Sequence, residues 1–200
     1  MTLTVGFDLD MTLIDSRPGI ARAYELLSEE TGVPIDTALV TSRLGPPVEQ
    51  EMAHWFPPEL VDPMSDRYRA LYAVHGVAGV DPLPGAFEAV AAVRALGGRA
   101  IVVTGKYEPN AVLCLEAIGL DVDAVHGTVF AERKGVVLRA EGASVYVGDH
   151  LGDIVAARAG GATAVTVPTG PYGPEALREA GADVVLADLT EFPAWLKQRS

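Results

Sequence analysis

The 200-residue sequence predicts an α/β fold, in which a Rossmann-like parallel sheet carries helices on both faces and is interrupted by one all-α insertion. Short apolar runs, typical of buried parallel strands, alternate with helical patterns along most of the chain. Residues 33–80 are the exception, because they contain helical patterns and loops but no convincing strand. Repeated strand–helix units imply a parallel sheet covered by helices. Two hundred residues can bury such a core together with a small inserted module.

Proline and glycine mark most of the predicted element boundaries. The first helix begins at Ser16-Arg17-Pro18, where a hydroxyl N-cap precedes a proline, and Gly32 ends it. The other predicted helices comprise residues 48–56, 59–75, 84–96, 109–119, 134–141, 151–159 and 174–180. The predicted strands comprise residues 5–7, 100–103, 124–125, 144–147, 162–167 and 184–186.

The first strand stops abruptly at two acidic residues, Asp8 and Asp10. Because side chains alternate along a strand, both carboxylates leave on one face, at the end where open α/β sheets place their ligands. Two like charges a few ångström apart need a cation, a shared proton or both. We expect Mg²⁺, which prefers oxygen ligands. Two solvated acids are the alternative.

The composition limits the partners and the location of the protein. A net charge of −12 argues against nucleic-acid binding, which needs a basic patch. The single cysteine, Cys114, excludes an internal disulfide and suits a reducing compartment. No charged-then-apolar leader precedes the first strand, and no apolar run approaches membrane length. We therefore expect a cytoplasmic monomer or homodimer without membrane association.

Two further strand ends carry polar residues. One apolar run ends on Thr104-Gly105, where a hydroxyl and free backbone N–H groups can bind phosphate oxygens, although a threonine that satisfies its own backbone is common. The run at residues 145–147 is followed by Asp149 and Asp153, which alone could equally be acids that start a helix.

Lysine is rare in this sequence, with only Lys106, Lys134 and Lys197. Lys134 begins the predicted helix that precedes the strand ending at Gly148-Asp149. An exposed surface lysine is the alternative interpretation of Lys134, since most lysines are exposed.

Taken together, these motifs resemble the haloacid dehalogenase-like superfamily. Its first motif, DxDxT followed by an apolar residue, matches Asp8, Asp10, Thr12 and Leu13, with Met11 in a slot that is often glycine. Its second motif, a threonine or serine at a strand end, maps to Thr104. Its third supplies a lysine, which maps to Lys134 with Lys106 as a rival, and its fourth, GDxxxD, maps to Asp149 and Asp153. The four motifs occur in order and three lie at strand ends, which argues against the separate alternatives.

The resemblance implies a role for each matched residue. Asp8 is expected to attack phosphorus and form an aspartyl-phosphate, while Asp10 protonates the leaving oxygen and then activates water. Asp8, the backbone carbonyl of Asp10 and Asp149 are expected to bind Mg²⁺, with Asp153 bound directly or through water. Thr104, the N–H groups near Gly105 and Lys134 are expected to hold the phosphoryl oxygens.

The resemblance covers the whole chain and also implies its domain organisation. Residues 16–80 fall where the superfamily inserts a helical cap, which leaves residues 1–15 and 81–200 as the core. The nearest subgroup is phosphoglycolate phosphatase-like and nucleotidase-like, and residues 44–49 resemble the cap loop of that subgroup. We expect Arg43, beside this loop, to face the cleft and bind an anionic group of the substrate. A solvated arginine is the alternative.

Within the superfamily, the residues favour hydrolysis of phosphate esters. Dehalogenases lack the second acid, which is present here as Asp10, and phosphonate-cleaving members use a cap lysine, which residues 16–80 lack. Sugar phosphomutases typically have adjacent acids in the fourth motif, whereas this chain keeps GDxxxD. We therefore expect a Mg²⁺-dependent phosphatase that acts on a small phosphorylated metabolite. A pyrophosphatase, a phosphotransferase and a catalytically idle phosphate-binding protein are the alternatives.

Overall fold

The computed structural model describes residues 3–199, and its centre is a six-stranded parallel sheet. The strands are β1 (Thr4–Phe7), β2 (Ile14–Asp15), β3 (Asp81–Pro82), β4 (Arg99–Val103), β5 (Ala124–His126), β6 (Val145–Gly148), β7 (Thr163–Thr166) and β8 (Val184–Val185). The strand order in the sheet is β5-β4-β1-β6-β7-β8, while β2 and β3 pair separately as a short antiparallel ribbon. This arrangement confirms the predicted α/β class.

Helices occupy most of the remaining described chain. They are α1 (Arg17–Thr31), α2 (Thr37–Thr41), α3 (Val48–Met52), α4 (Pro58–Leu71), α5 (Ala86–Ala95), α6 (Glu108–Ile118), α7 (Glu132–Ala140), α8 (Leu151–Gly160), α9 (Pro174–Glu179) and α10 (Phe192–Lys197). A π-helical turn at Tyr72–Gly76 extends α4, and 3₁₀ turns lie at Val77–Gly79 and Leu189–Glu191. No helix among residues 3–199 has the length and apolar content needed to cross a membrane.

The sheet is buried on both faces. In β4, Ala100 and Val102 belong to one apolar cluster, whereas Ile101 and Val103 belong to another. This alternation places consecutive side chains on opposite faces of the strand. Burial on both faces explains why the strands appear in the sequence as continuous apolar runs.

The strand order brings the polar strand ends together. The register pairs Phe7 of β1 with Val102 of β4 and with Val147 of β6, all in parallel. Because β1 lies between β4 and β6, the residues that follow these three strands emerge at one edge of the sheet. Ligands of open α/β folds bind at such an edge, where the strand order reverses direction.

The helices from α1 to α4 form an insertion between β2 and β3. The chain leaves and returns at neighbouring points, since Asp15 pairs with Asp81 and Ile14 pairs with Pro82. The two connecting segments also pack tightly, and a Cβ atom on Gly19 would lie only 2.1 Å from the carbonyl oxygen of Gly76. The domain boundaries expected from the sequence, between residues 15 and 16 and between 80 and 81, stay a prediction.

The element boundaries differ from the sequence predictions in the shortest elements. The helix expected at residues 48–56 ends at Met52, and α2, α10 and the β2–β3 ribbon were not predicted from the sequence. Two-residue strands are too short to show a side-chain period. Helix α2 has only five residues and depends on the Asp36 side chain, which accepts a hydrogen bond from the backbone N–H of Leu39 at 3.0 Å.

Candidate active site

Asp8 lies at the carboxyl end of β1, in the centre of the sheet. Its backbone N–H donates to the carbonyl oxygen of Val147 at 2.8 Å, which ties the end of β1 to β6. Its carboxylate is buried and faces Lys134 of α7, whose Nζ lies 2.9 Å from Asp8 Oδ1. The same Nζ lies 2.8 Å from Oδ1 of Asp153, which is also buried. Lys134 therefore bridges the two acids.

Three buried carboxylates surround this lysine. Oxygens of Asp8, Asp149 and Asp153 all lie within 4.8 Å of one another. Together with Lys134 they carry a formal charge of −2 when all four groups are ionised, because three negative charges meet one positive charge. A single divalent cation with oxygen ligands would neutralise this charge, so the donor set fits Mg²⁺.

The electrostatics of the cluster show the same excess of negative charge. Burial raises the pKa of Asp8 to about 6, against the opposing effect of Lys134, and the charges of Asp153 and Asp10 add to the rise. Burial, followed by the charges of Asp153 and Asp8, also raises the pKa of Asp149 well above its usual range. Although burial alone would lower it, the pKa of Lys134 is raised by Asp153 and Asp8.

Neighbouring donors orient the acids of this cluster. The Thr12 hydroxyl donates to Asp149 Oδ1 at 2.7 Å, and the backbone N–H of His150 donates to Asp153 Oδ2 at 3.0 Å. The Tyr146 hydroxyl donates to the carbonyl oxygen of Val103 at 2.6 Å and lies 3.3 Å from Asp153 Oδ1. Such outer contacts fix the direction in which a carboxylate presents its free lone pairs.

The turn between Asp8 and Thr12 has an unusual backbone conformation at Met11. Its φ of 61° is left-handed, a region that costs a residue with a side chain about 1–2 kcal/mol. The related superfamily often has glycine in this slot, which adopts this conformation at little cost. The side chain of Met11 is buried, and this burial offsets part of the strain.

Asp10 makes a different contact from Asp8. Its carboxylate is not one of the three in the metal-capable cluster and instead lies 3.0 Å from Nζ of Lys106. Lys106 follows Thr104 and Gly105 at the end of β4, and its backbone N–H donates to the Thr104 hydroxyl oxygen at 3.2 Å. The ammonium of Lys106 lies 3.9 Å from the ring centroid of Tyr72, a cation–π contact.

A cavity of about 110 Å³ connects these groups with the helical insertion. Its lining residues include Asp8, Asp10, Asp149, Thr104, Gly105 and Lys106 from the sheet edge, and Tyr24, Arg43, Gly45, Glu51, Arg69 and Tyr72 from the insertion. Gly45 lies directly over the edge, because a Cβ atom on it would come within 2.6 Å of the His150 ring. The polar residues of the sheet edge thus line one side of the cavity, and the insertion lines the other side.

Matches to family models show to which family the chain belongs. Residues 5–158 match the model described as haloacid dehalogenase-like hydrolase, and residues 127–192 match a second, HAD-hydrolase-like model. The chain is a haloacid dehalogenase-like hydrolase. The family and enzyme class expected from the four motifs, a hydrolase of the phosphatase type, are confirmed.

Named relatives of this hydrolase include phosphatases and a kinase. It is 32% identical to a phosphoglycolate phosphatase of Rhodospirillum rubrum, over 98% of this chain and 91% of that protein. It is 30% identical to the tyrosine-protein kinase PtkA of Mycobacterium tuberculosis, over 84% of this chain and 62% of that protein. A predicted phosphatase from Clostridium acetobutylicum has the same fold, with a TM-score of 0.86, 20% identity and 99% coverage of both chains.

The structure brings most of the sequence-predicted site residues of this hydrolase together. Three of the predicted metal ligands form one cluster, and Thr104 and Gly105 line the same cavity. Lys134, rather than its rival Lys106, is the lysine beside Asp8. Arg43 also lines the cavity, but both ends of its guanidinium are engaged by Glu51, with Nε 2.9 Å from Oε2 and Nη2 2.6 Å from Oε1.

Sequence reasoning missed two site residues of this hydrolase. Tyr72 lay within the helix predicted at residues 59–75 and had no assigned role, since nothing in its spacing distinguishes a tyrosine that will contact a lysine from one that only packs in the core. Arg69 was not singled out, yet it lines the cavity and pairs with Glu49 and Asp66. Lys106 was noticed because lysine is rare in this sequence, but only as a rival for the role assigned to Lys134.

Proposed function

We propose that this hydrolase is a Mg²⁺-dependent phosphatase that cleaves small phosphate monoesters through an aspartyl-phosphate on Asp8. The observation that carries the proposal is the position of Asp8. Its carboxylate contacts Lys134 and lies within 4.8 Å of oxygens of Asp149 and Asp153, at the sheet edge that also carries Asp10 and Thr104.

In the first step, the Asp8 carboxylate attacks phosphorus while the bond from phosphorus to the leaving oxygen breaks. Asp10 donates its proton to that oxygen, which departs as an alcohol. Asp8 suits the nucleophile because it is buried and held by Lys134, whereas Asp10 lies at the cavity wall with its own lysine partner. The two aspartates thus have different surroundings and can have different roles.

In the second step, the Asp10 carboxylate takes a proton from water as the water oxygen attacks the phosphorus of the aspartyl-phosphate. The acyl-phosphate bond breaks, inorganic phosphate leaves and the Asp8 carboxylate is restored. The sum of both steps is hydrolysis of a monoester to an alcohol and phosphate.

Charge on the phosphoryl group is neutralised by several fixed groups. We assign the Thr104 hydroxyl, the backbone N–H groups near Gly105 and the Lys134 ammonium to its oxygens. Asp8, Asp149 and Asp153, with the backbone carbonyl of Asp10, would hold Mg²⁺. When bound, Mg²⁺ supplies positive charge for a loose phosphoryl-transfer transition state.

Substrate selection is assigned to residues 16–80, acting as a cap domain over the core of residues 1–15 and 81–200. A cavity of about 110 Å³ favours a small phosphorylated metabolite, and relatives named phosphoglycolate phosphatase support a small acidic one. Arg43 is the proposed anion-binding residue of the cap. The proposal includes the expected cytoplasmic location, the absence of a nucleic-acid partner and a monomeric or homodimeric state.

The second candidate is phosphotransfer from the aspartyl-phosphate to an acceptor other than water. The relative named tyrosine-protein kinase PtkA is the observation that favours it. The two candidates share the first step and differ only in the acceptor. Released inorganic phosphate distinguishes them, because hydrolysis yields one phosphate per alcohol and phosphotransfer yields less.

A panel of phosphate esters tests the proposed function. We expect p-nitrophenyl phosphate and small acidic monoesters to be hydrolysed with Mg²⁺, not with EDTA, and again when Mg²⁺ is restored. Ca²⁺ should substitute poorly, since its larger and looser coordination shell disturbs the in-line geometry. Full activity in EDTA would contradict the metal requirement, and no turnover of any ester with Mg²⁺ would favour an idle phosphate-binding protein.

A further inference from the structure

The structure contains a second lysine–aspartate pair at the sheet edge, apart from Lys134 and Asp8. Lys106 Nζ lies 3.0 Å from Asp10 Oδ1, and the side chain of Lys106 is only 7% exposed. Lys134 instead pairs with Asp8 and Asp153. The two aspartates of the DxD motif therefore pair with different lysines.

The backbone of Lys106 is anchored on both sides, so that the position of its stem is defined. Its N–H donates to the Thr104 hydroxyl oxygen at 3.2 Å, and its carbonyl oxygen accepts from the N–H of Thr128 at 2.8 Å. A four-carbon stem on a fixed backbone can hold an ammonium in place only if the head group also has partners. Asp10 is one of these partners.

The other partner is an aromatic ring from the helical insertion. The Tyr72 ring centroid lies 3.9 Å from Lys106 Nζ, and Tyr72 is fully buried. Tyr72 begins the π-helical turn at the end of α4, a type of irregularity that is frequent at functional sites. Its hydroxyl lies 3.3 Å from the sulfur of Cys114, which fixes the far end of the ring.

We propose that Lys106 is a positioning residue for Asp10, and that the Tyr72 ring from the insertion holds Lys106 in this role. The proposal rests on the proposed function, in which Asp10 transfers a proton to and from the reacting oxygens. Lys106 directs the Asp10 carboxyl toward the leaving group, and the ring makes this orientation depend on the placement of the insertion. An assembled proton donor would then require the insertion to lie over the sheet edge.

This role predicts a dependence on the leaving group. A nitrophenolate leaves with little need of a proton, whereas an alkoxide must be protonated as it leaves. An incorrectly oriented Asp10 therefore slows the cleavage of alkyl esters most. Lys106→Met keeps the length of the side chain and removes its charge. We expect it to slow alcohol release from an alkyl phosphate at least about tenfold more than release from p-nitrophenyl phosphate.

The experiment measures alcohol release in single turnovers with excess Mg²⁺-loaded enzyme, on p-nitrophenyl phosphate, phenyl phosphate and glycerol 3-phosphate. Single turnovers isolate the first step from hydrolysis of the intermediate. Lys106→Arg, which keeps the charge, should restore part of the loss. In an Asp10→Asn background, Lys106→Met should add nothing to the loss on glycerol 3-phosphate, because residues that act as a unit are not additive.

Tyr72 variants test the link to the insertion while Lys106 and Asp10 are kept. Tyr72→Leu should steepen the dependence on the leaving group more than Tyr72→Phe, which retains the ring. This pair carries the test if Lys106→Met does not fold. Equal losses on all three esters, or losses that add fully to those of Asp10→Asn, would overturn the positioning role. Failure of the wild-type enzyme to release phosphate from any ester would instead overturn the proposed function.

Discussion

The hydroxyl of Thr12 donates a hydrogen bond of 2.7 Å to Oδ1 of Asp149, which lies 137 residues further along the chain. Both groups are buried, and the bond joins the turn after β1 to the end of β6. Thr12 therefore orients a proposed Mg²⁺ ligand without belonging to the cluster itself.

We expect Thr12→Val, which is close in shape but lacks the hydroxyl, to weaken Mg²⁺ binding by about 10–100-fold. Asp149 would lose the donor that fixes its direction. Titration of metal-free protein with Mg²⁺, followed by the rise in melting temperature, measures the affinity. Thr12→Ser retains the hydroxyl and is the matched control. Equal Mg²⁺ affinities for the valine and serine variants would show that the hydroxyl does not matter.

Asp8→Asn should lower the rate of turnover by several orders of magnitude and leave a folded protein. The amide keeps the size of the side chain but has no nucleophilic charge. Released phosphate with saturating Mg²⁺ measures the effect, and the far-ultraviolet circular dichroism spectrum checks the fold. Asp121→Asn, at an exposed aspartate, is the control. Near-normal activity in a folded Asp8→Asn protein would refute the proposed nucleophile.

Lys134→Met should destabilise the metal-free protein at pH 7 by about 3–5 kcal/mol, because it leaves buried carboxylates without their cation. The side chain of Lys134 is 3% exposed and contacts two acids, so solvent cannot replace it. Urea unfolding followed by circular dichroism measures the free energy of unfolding. Lys197→Met in α10 is the control, since Lys197 is exposed. A loss no larger than that of the control would mean that the acids are not ionised together.

Asp8 should make the stability of the metal-free protein fall as pH rises. Burial raises its pKa from 3.8 to about 6, so the folded protein holds a proton that the unfolded chain has already lost. The stabilisation is complete below about pH 4 and disappears as pH rises through about 6, a change on the order of 3 kcal/mol. Urea unfolding between pH 4 and pH 8 measures this change.

The comparison with Asp8→Asn isolates this contribution, because the amide does not titrate. Since Mg²⁺ binds the ionised carboxylates, the stabilisation that it provides should be larger at pH 7.5 than at pH 5. If wild type and Asp8→Asn show parallel pH profiles without metal, Asp8 does not titrate in this range.

Arg43→Ala should lower kcat/KM for small acidic phosphates by about ten- to hundredfold and leave p-nitrophenyl phosphate almost unchanged. A charge-assisted contact of this kind contributes about 1.5–3 kcal/mol. Because p-nitrophenyl phosphate has no second anionic group, it does not make this contact and loses nothing when Arg43 is removed. Steady-state kinetics on 2-phosphoglycolate and p-nitrophenyl phosphate measure the two effects. Equal losses on both substrates, or none, would remove Arg43 from the site.

The contact between Arg43 and Glu51 provides a second test of the same role. Glu51 engages the guanidinium on two nitrogens and also accepts from the Trp55 indole N–H at 2.8 Å. An acidic substrate must compete with that carboxylate. Glu51→Gln should therefore improve kcat/KM for the acidic substrate more than for p-nitrophenyl phosphate.

The sequence by itself determined the parallel sheet and the carriers of its chemistry. Apolar runs bounded by proline and glycine predict strands and helices because burial and backbone conformation are local requirements. Asp8, Thr104 and Asp149 each follow such a run. Parallel strands present their carboxyl ends at one edge, so the pattern predicted the edge at which these residues lie, and the strand order β4-β1-β6 then brought them together. The order of the motifs was enough to identify the family.

Only the tertiary structure decided which charge faces which. A lysine stem reaches several ångström in any direction, so the sequence could not assign Lys134 to Asp8 and Lys106 to Asp10. Likewise, nothing in the sequence indicated that the Arg43 guanidinium would pair with Glu51, eight residues later. The two lysine pairings join parts of the chain that are distant in sequence, and the burial of both lysines limits the competing water. The sequence identifies the groups at the site, and the tertiary packing of segments distant in sequence decides which of these groups contact one another.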